Sequence, residues 1–286
     1  MPFLVQSIPF IFIVIWSSGF IVAKVVALYS EPLSFLCLRF LGVMILMTVL
    51  AWWARAPWPT QPRTLLHLTV AGVLIHAGYL SGVWTAVNLG MPAGVVALIV
   101  NLQPVITAAW VYWSGEKVSG RQWFGLLLGF FGVLLVIAEK ISSIGLSVES
   151  VSLAIFALAC ITAGTLYQKK YCANLDFRTS QVVQFSACLI VVLPFAALFE
   201  TFHFNWTPSL VTAYLWSVFG LTGTGTSLLY FMIRHHSATQ VTSYLYLVPA
   251  VTALMAWGMF GETLRWLAVL GMGVAMLGVA LVTRKS

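Results

Sequence analysis

Side chains able to do chemistry are few in this chain, and each stands inside an apolar run. His76 lies in GVLIHAGYLSGVW. An imidazole there is either a proton-responsive group that hydrogen-bonds a solute, or a neutral ring bonded to a neighbouring helix. Tyr79 and Leu80 share its helical face at three and four residues' spacing, and Trp84 falls close to that face. Asn101-Leu102-Gln103-Pro104 and Tyr246-Leu247-Val248-Pro249 form a second pair of candidates. Proline lacks an N–H and crowds the carbonyl four residues back, which frees polar backbone in mid-helix. Either these are ordinary kinks, or the freed groups join Asn101 and Tyr246 in a solute site. Asn101 and Gln103 point about 200° apart on a helix, so both do not face one cavity squarely.

A third candidate is GLTGTGTSLLY, residues 220–230. It has the glycines of a phosphate loop but not the Lys-Ser/Thr that a nucleotide requires. Small residues there favour close helix packing, with Thr222 and Thr226 as candidate cavity hydroxyls. Trp16, Tyr79 and Tyr244 are placed to stack on an organic solute or to pack a core. No nucleophile–base pair, HExxH or nucleotide-hydrolysis motif is present. Cys37, Cys160, Cys172 and Cys188 lack metal or redox spacing and are expected to be reduced and inert. No catalytic residue, cofactor or metal is predicted, and the chain does not read as an enzyme.

The elements that position these residues must be membrane helices. Of 286 residues, 61% are hydrophobic and 7% charged, against about 25% charged in a soluble domain. The formal charge of +7 does not point to nucleic acid, because the charges fall between apolar segments rather than in an aromatic-laced patch. A helix needs about 20 apolar residues to cross a hydrocarbon core of about 30 Å. Ten runs approach that length: 6–28, 33–53, 65–88, 92–113, 121–138, 150–171, 179–199, 209–232, 238–259 and 264–283. No Lys or Arg precedes Lys24, so the first run reads as a retained helix rather than a secretory leader. Counting Lys and Arg by side gives ten against two to four, which predicts both termini in the cytoplasm. No acid stands at mid-depth in any run, which argues against a carboxylate-driven cation antiporter.

The chain also repeats itself. GEKVSGRQWFGLLLGFFG at 115–132 recurs as GETLRWLAVLGMGVAMLG at 261–278, matching Gly115, Glu116, Gly125 and Gly132 to Gly261, Glu262, Gly271 and Gly278 at an offset of 146. At an offset of 145, Gly19 and Lys24 match Gly164 and Lys169, Gly78 matches Gly223, and Pro104, Thr107 and Ala108 match Pro249, Thr252 and Ala253. Five helices per copy is an odd number, so the copies run in opposite directions across the bilayer. Inverted repeats with paired interrupted helices are a construction of secondary transporters. Glu116 and Glu262 are expected to cap the helices that follow them. Lys24 and Lys169 are expected to snorkel, with a gate role for Lys24, paired with Glu31 or a substrate carboxylate, as the alternative. Arg39 is expected to stabilise the outer end of its helix.

These landmarks carry a family likeness. Trp16 with small neighbours, Lys24, Pro32 and Arg39, Pro104, Gly115-Glu116, Pro249, Gly261-Glu262 and the glycines of the fifth and tenth runs resemble EamA-type members of the drug/metabolite transporter superfamily. The resemblance spans essentially the whole chain. It implies ten helices, both termini inside, a cavity lined by helices 1, 3, 4, 6, 8 and 9, and export of amino acids, other metabolites or drugs in bacteria. Ile161-Thr162-Ala163-Gly164 departs from the pattern, where an aromatic residue often sits.

The expectation is therefore an all-α integral membrane protein of ten transmembrane helices in two inverted five-helix repeats, residues 1–144 and 145–286. Its function would be that of a secondary transporter, an exporter of small organic metabolites such as amino acids in the bacterial inner membrane. Trp16, His76, Tyr79, Asn101, Gln103, Thr222, Thr226, Tyr244 and Tyr246 are its candidate substrate-binding residues. The expected partners are a small organic solute and the lipid bilayer; nothing here sets the oligomeric state. An intramembrane enzyme or lipid-handling protein is the alternative, and a channel is a third class.

Overall fold

The computed structural model of the chain describes residues 2–91, 93–113, 118–141, 147–235, 241, 244–260 and 266–283. Gly115-Glu116 and Gly261-Glu262 lie outside the described residues, as do Lys117, Arg265, Arg284 and Lys285. Among the described residues every named element is helical, apart from an isolated antiparallel bridge between Ser30 and Phe204. The helices are α1 (Pro2–Tyr29), α2 (Pro32–Trp53), α3 (Pro62–Gly72), α4 (Tyr79–Asn88), α5 (Ala93–Val100), α6 (Gln103–Trp113) and α7 (Gly120–Ile141). They continue as α8 (Val148–Tyr171), α9 (Phe177–Phe199), α10 (Pro208–Leu215), α11 (Ser227–His235), α12 (Val248–Phe260) and α13 (Trp266–Thr283).

Local signals explain where they begin. Pro32, Pro62 and Pro208 open α2, α3 and α10, where a missing N–H costs nothing. Ser147, Asp176 and Thr207 cap α8, α9 and α10 by accepting from first-turn N–H groups. Five helical stretches are long and apolar enough to cross a bilayer: Ser7–Tyr29, Pro32–Trp53, Pro62–Asn88, Val148–Tyr171 and Phe177–Phe199. Gly120–Leu135, Tyr244–Met259 and Val269–Val282 are apolar but shorter. Large apolar side chains point outward along them, including Phe10, Ile45, Phe131, Ile190 and Leu277. A surface this apolar is stable against hydrocarbon. Trp52, Trp53 and Trp113 stand exposed at helix ends, as an interface belt requires.

Four interruptions shape the interior. Ahead of Pro104 the helix breaks into a turn at Asn101 and Leu102. Ahead of Pro249 the chain winds as a 3₁₀ segment, Tyr244–Leu247. Two π segments, Val73–Gly78 and Trp216–Thr226, join α3 to α4 and α10 to α11. In the second, the hydroxyls of Thr222, Thr224 and Thr226 donate to the carbonyls of Ser217, Phe219 and Leu221, each five residues back. Those donors satisfy carbonyls that the wider winding leaves underused.

Glycine permits the tightest helix contact. Along α7 and α13, a Cβ at Gly125 would meet the Gly278 carbonyl at 2.8 Å, and one at Gly132 would meet the Gly271 carbonyl at 2.7 Å. At the helix ends near Ser30, two carboxylates join segments distant in sequence. Glu200 accepts from the N–H groups of Leu33 and Ser34, capping α2 from outside, and Glu31 accepts from the N–H groups of Thr201 and His203. Glu31 is thus held by the segment after α9.

Candidate functional site

Two cavities open between the helices. The first is lined by Asn101 and Gln103 at the proline break, Thr165 of α8 and Val248 of α12. The second is lined by Arg39 of α2, His76 of the first π segment, Trp84 of α4 and Thr226 of the second π segment. Trp16, Phe20 and Tyr79 border both. The Trp16 and Tyr79 rings lie nearly parallel, 8° apart with centroids separated by 6.5 Å.

The interruptions leave hydrogen-bonding capacity unspent around these spaces. Asn101 donates through Nδ2 to the Ala97 carbonyl at 2.6 Å, while its Oδ1 has no partner. Gln103 Nε2 donates to Thr165 Oγ1 at 3.2 Å, and its Oε1 is likewise unmatched. Ser17 of α1 donates to the Val248 carbonyl beside Pro249 at 3.3 Å. His76 stacks on Phe185 with ring centroids 4.4 Å apart and lies within side-chain hydrogen-bonding reach of Gln181 and Gln184 on α9. Burying an unmatched polar atom is costly, and Asn101 and Gln103 each carry one in the lining of the first cavity.

The nine predicted residues divide. Trp16, Tyr79, Asn101 and Gln103 meet at the first cavity; Trp16, His76, Tyr79 and Thr226 meet at the second. Asn101 and Gln103 line one space despite their spacing, because the turn at 101–102 resets the helical phase. Thr222 lies behind the second cavity and accepts from Arg39 Nη2 at 3.0 Å. Tyr244 and Tyr246 stand outside both linings. Tyr246 is fully buried and lies over Gly129 of α7, where a Cβ would touch its ring at 2.6 Å.

Arg39 corrects the expectation of a helix-end residue: it is 6% exposed and faces the second cavity. Gln181 and Gln184 of α9 were also missed; both are fully buried and stand beside His76. Their signal was a Gln pair at three-residue spacing in an apolar run. Among the described residues, no carboxylate lines either cavity, and no three metal-ligating side chains come together. All four cysteines are buried. The resolved carboxylate shifts lie outside the helices. Arg178 bonds the Asp176 carboxylate and holds it below its ordinary value. Burial pushes Glu31 up, but the N–H donors of His203 and Thr201 bring it lower on balance.

The family model of EamA-like transporters matches residues 7–138 and again 149–284. The chain belongs to that family. It is a multi-pass membrane protein of a transporter family. It is 24% identical over 282 residues to "Uncharacterized transporter YvbV" of Bacillus subtilis, covering 96% of this chain and 90% of that one. It is 27% identical to "Uncharacterized inner membrane transporter YedA" of Escherichia coli K12, covering 94% and 87%. It is 26% identical to a "Probable amino-acid metabolite efflux pump" of Salmonella typhimurium, covering 93% and 90%. A protein crystal structure 15% identical in sequence has the same fold, with a TM-score of 0.81 over 96% of this chain and 95% of that one.

Proposed function

We propose that this EamA-family protein is a secondary carrier that exports small organic metabolites, amino acids among them, by alternating access. Its two halves, residues 1–144 and 145–286, would be inverted five-helix repeats with both termini in the cytoplasm of a bacterial cell. The observation that carries the mechanism is the pair of cavities that share Trp16 and Tyr79. A carrier needs a solute space reachable in turn from either side, and a stacked pair between two chambers is a natural gate.

Several features support the inverted repeat. The same family model matches each half. Under the offset of 146, Gly125 pairs with Gly271 and Gly132 with Gly278; the contacts run crosswise, Gly125 to Gly278 and Gly132 to Gly271. Crosswise contact is what a two-fold relation produces. Under the offset of 145, the turn at 101–102 falls on the 3₁₀ segment Tyr244–Leu247, and Val73–Gly78 falls inside the π segment Trp216–Thr226. The name of the Salmonella relative supports amino acids as candidate solutes.

Counterflow in proteoliposomes tests the proposal. Unlabelled amino acids are loaded inside and entry of each labelled one is followed. Saturable, trans-stimulated entry that His76→Ala and Asn101→Ala each weaken is the expected result. Unsaturable flux without counterflow would make the protein a channel, and recovery of a modified solute would make it an enzyme.

A further inference from the structure

A buried cation with no anion beside it among the described residues is the least explained feature of the second cavity. Arg39 sits in α2 among apolar neighbours, and its guanidinium carbon lies 5.7 Å from the Trp84 ring centroid. Nη2 donates to Thr222 Oγ1, a hydroxyl whose own proton goes to the Ser217 carbonyl at 3.1 Å. Nε has no partner. The carboxylates at the N-terminal end of α2 are committed elsewhere: Glu200 caps α2 through Leu33 and Ser34, and Glu31 holds Thr201 and His203. A buried guanidinium is expensive unless an anion meets it.

The surroundings describe that anion. Guanidinium presents a planar fork that fits a carboxylate with two parallel hydrogen bonds. Trp84, Tyr79, Trp16 and Leu80 wall the same space, which suits an apolar or aromatic body. No carboxylate among the described residues stands there to receive an ammonium group. We infer that Arg39 is the anion-binding pole of the cavity and that the solute is an organic carboxylate, whose amino group, where it has one, is dispensable. This deepens the carrier reading and rests on it for its role in export, but it makes a claim about binding that stands separately.

The test uses the full-length protein in nanodiscs and calorimetric titration with matched probes: 3-phenylpropanoate, phenylalanine and 2-phenylethylamine, then 4-methylpentanoate, leucine and 3-methylbutylamine. Each carboxylate is expected to bind at least tenfold more tightly than its amine, and the acids without an amino group as well as the amino acids. Arg39→Gln should abolish that preference. Arg39→Lys should keep part of it, since a point charge replaces the fork. Amines binding as tightly as acids, a preference that survives Arg39→Gln, or no binding by any probe would each overturn the assignment. Should Arg39→Gln not fold, the probe series on the unaltered protein still decides. Counterflow separates the two claims. Acids that bind through Arg39 without being moved would sink the carrier reading alone, and exchange indifferent to the carboxylate would sink this assignment alone.

Discussion

Gly278 and Gly273 lie on the same helix, α13, and replacing each by Ala should have opposite results. A Cβ at Gly278 would press on the backbone of Gly129 and stand 2.6 Å from the Gly125 carbonyl oxygen. Both obstacles are main chain, so no side chain can turn aside. An ordinary contact begins at 3.4 Å, so α7 and α13 must part by at least roughly 0.8 Å, enough to forfeit a quarter to a half of each dispersion contact along the seam. Overpacking of this kind costs about 1–3 kcal/mol, more than the ~1 kcal/mol that Ala gains over Gly as a helix former. At about 2–4 °C per kcal/mol, Gly278→Ala should lower Tm by several degrees. A Cβ at Gly273 meets nothing within 4 Å, so Gly273→Ala should leave Tm unchanged or raise it. Both are read by thermal unfolding of purified protein in one detergent. Gly125→Ala should resemble Gly278→Ala, and the pair together should cost less than their sum, because they relieve one contact. Equal Tm for the two α13 variants, or a greater loss at Gly273, would refute the glycine seam.

Other substitutions separate packing from binding. Tyr246→Phe should leave both Tm and counterflow intact, since the hydroxyl is buried without a partner, whereas Tyr246→Ala should lose about 3–5 kcal/mol by emptying the space over Gly129. Thr222→Val removes the acceptor of Arg39 Nη2 and should cost about 1–3 kcal/mol; a denaturant titration checks it. Glu31 has a folded-state pKa below its ordinary value. Its contribution should therefore be full above the unfolded carboxyl pKa of about 4.3 and vanish as pH falls through the lower folded value. The Tm gap between the unaltered protein and Glu31→Gln should be open at pH 7 and close below about pH 4; a gap that widens in acid would contradict the contact.

Hydrophobic run length made the helical class and the five long apolar stretches readable in advance. The breaks at Asn101 and at Tyr244 were legible in part, because Pro104 and Pro249 lack an N–H and crowd the carbonyl four residues back, although Pro9 and Pro194 sit inside unbroken helices. The π segments were not: GVLIHAG and WSVFGLTGTGT have no residue that forbids α winding, and the wider turn is decided by what packs against it. Arg39 was misplaced for a related reason. Its distance along α2 was readable, but whether that turn faces lipid, a loop or a cavity depends on the partner helices. Tyr246 shows the limit of arguing by symmetry, for its mate Asn101 lines a cavity while Tyr246 fills the groove over Gly129.

That contrast reaches beyond one pair. Positions that keep their residue type at the 145–146 offset, such as Gly125 and Gly271, Gly132 and Gly278, or Pro104 and Pro249, set helix contact and winding. Positions that change type supply the cavity's polarity. At the same offset His76 falls on Leu221, Arg39 on Gln184 and Trp16 on Ile161. A two-fold relation would serve a rocking motion, because the same contacts can form on either side. A single solute with one charged end is not symmetric, and its site must break the relation. Substitutions at type-conserving positions should therefore move Tm with little change in solute preference. Substitutions at Arg39, His76 or Trp16 should move affinity and preference by more than their effect on Tm accounts for. Paired titration and unfolding measurements on Gly132→Ala and Trp16→Phe read the two axes directly. A preference shift from Gly132→Ala equal to that from Trp16→Phe would dissolve the division.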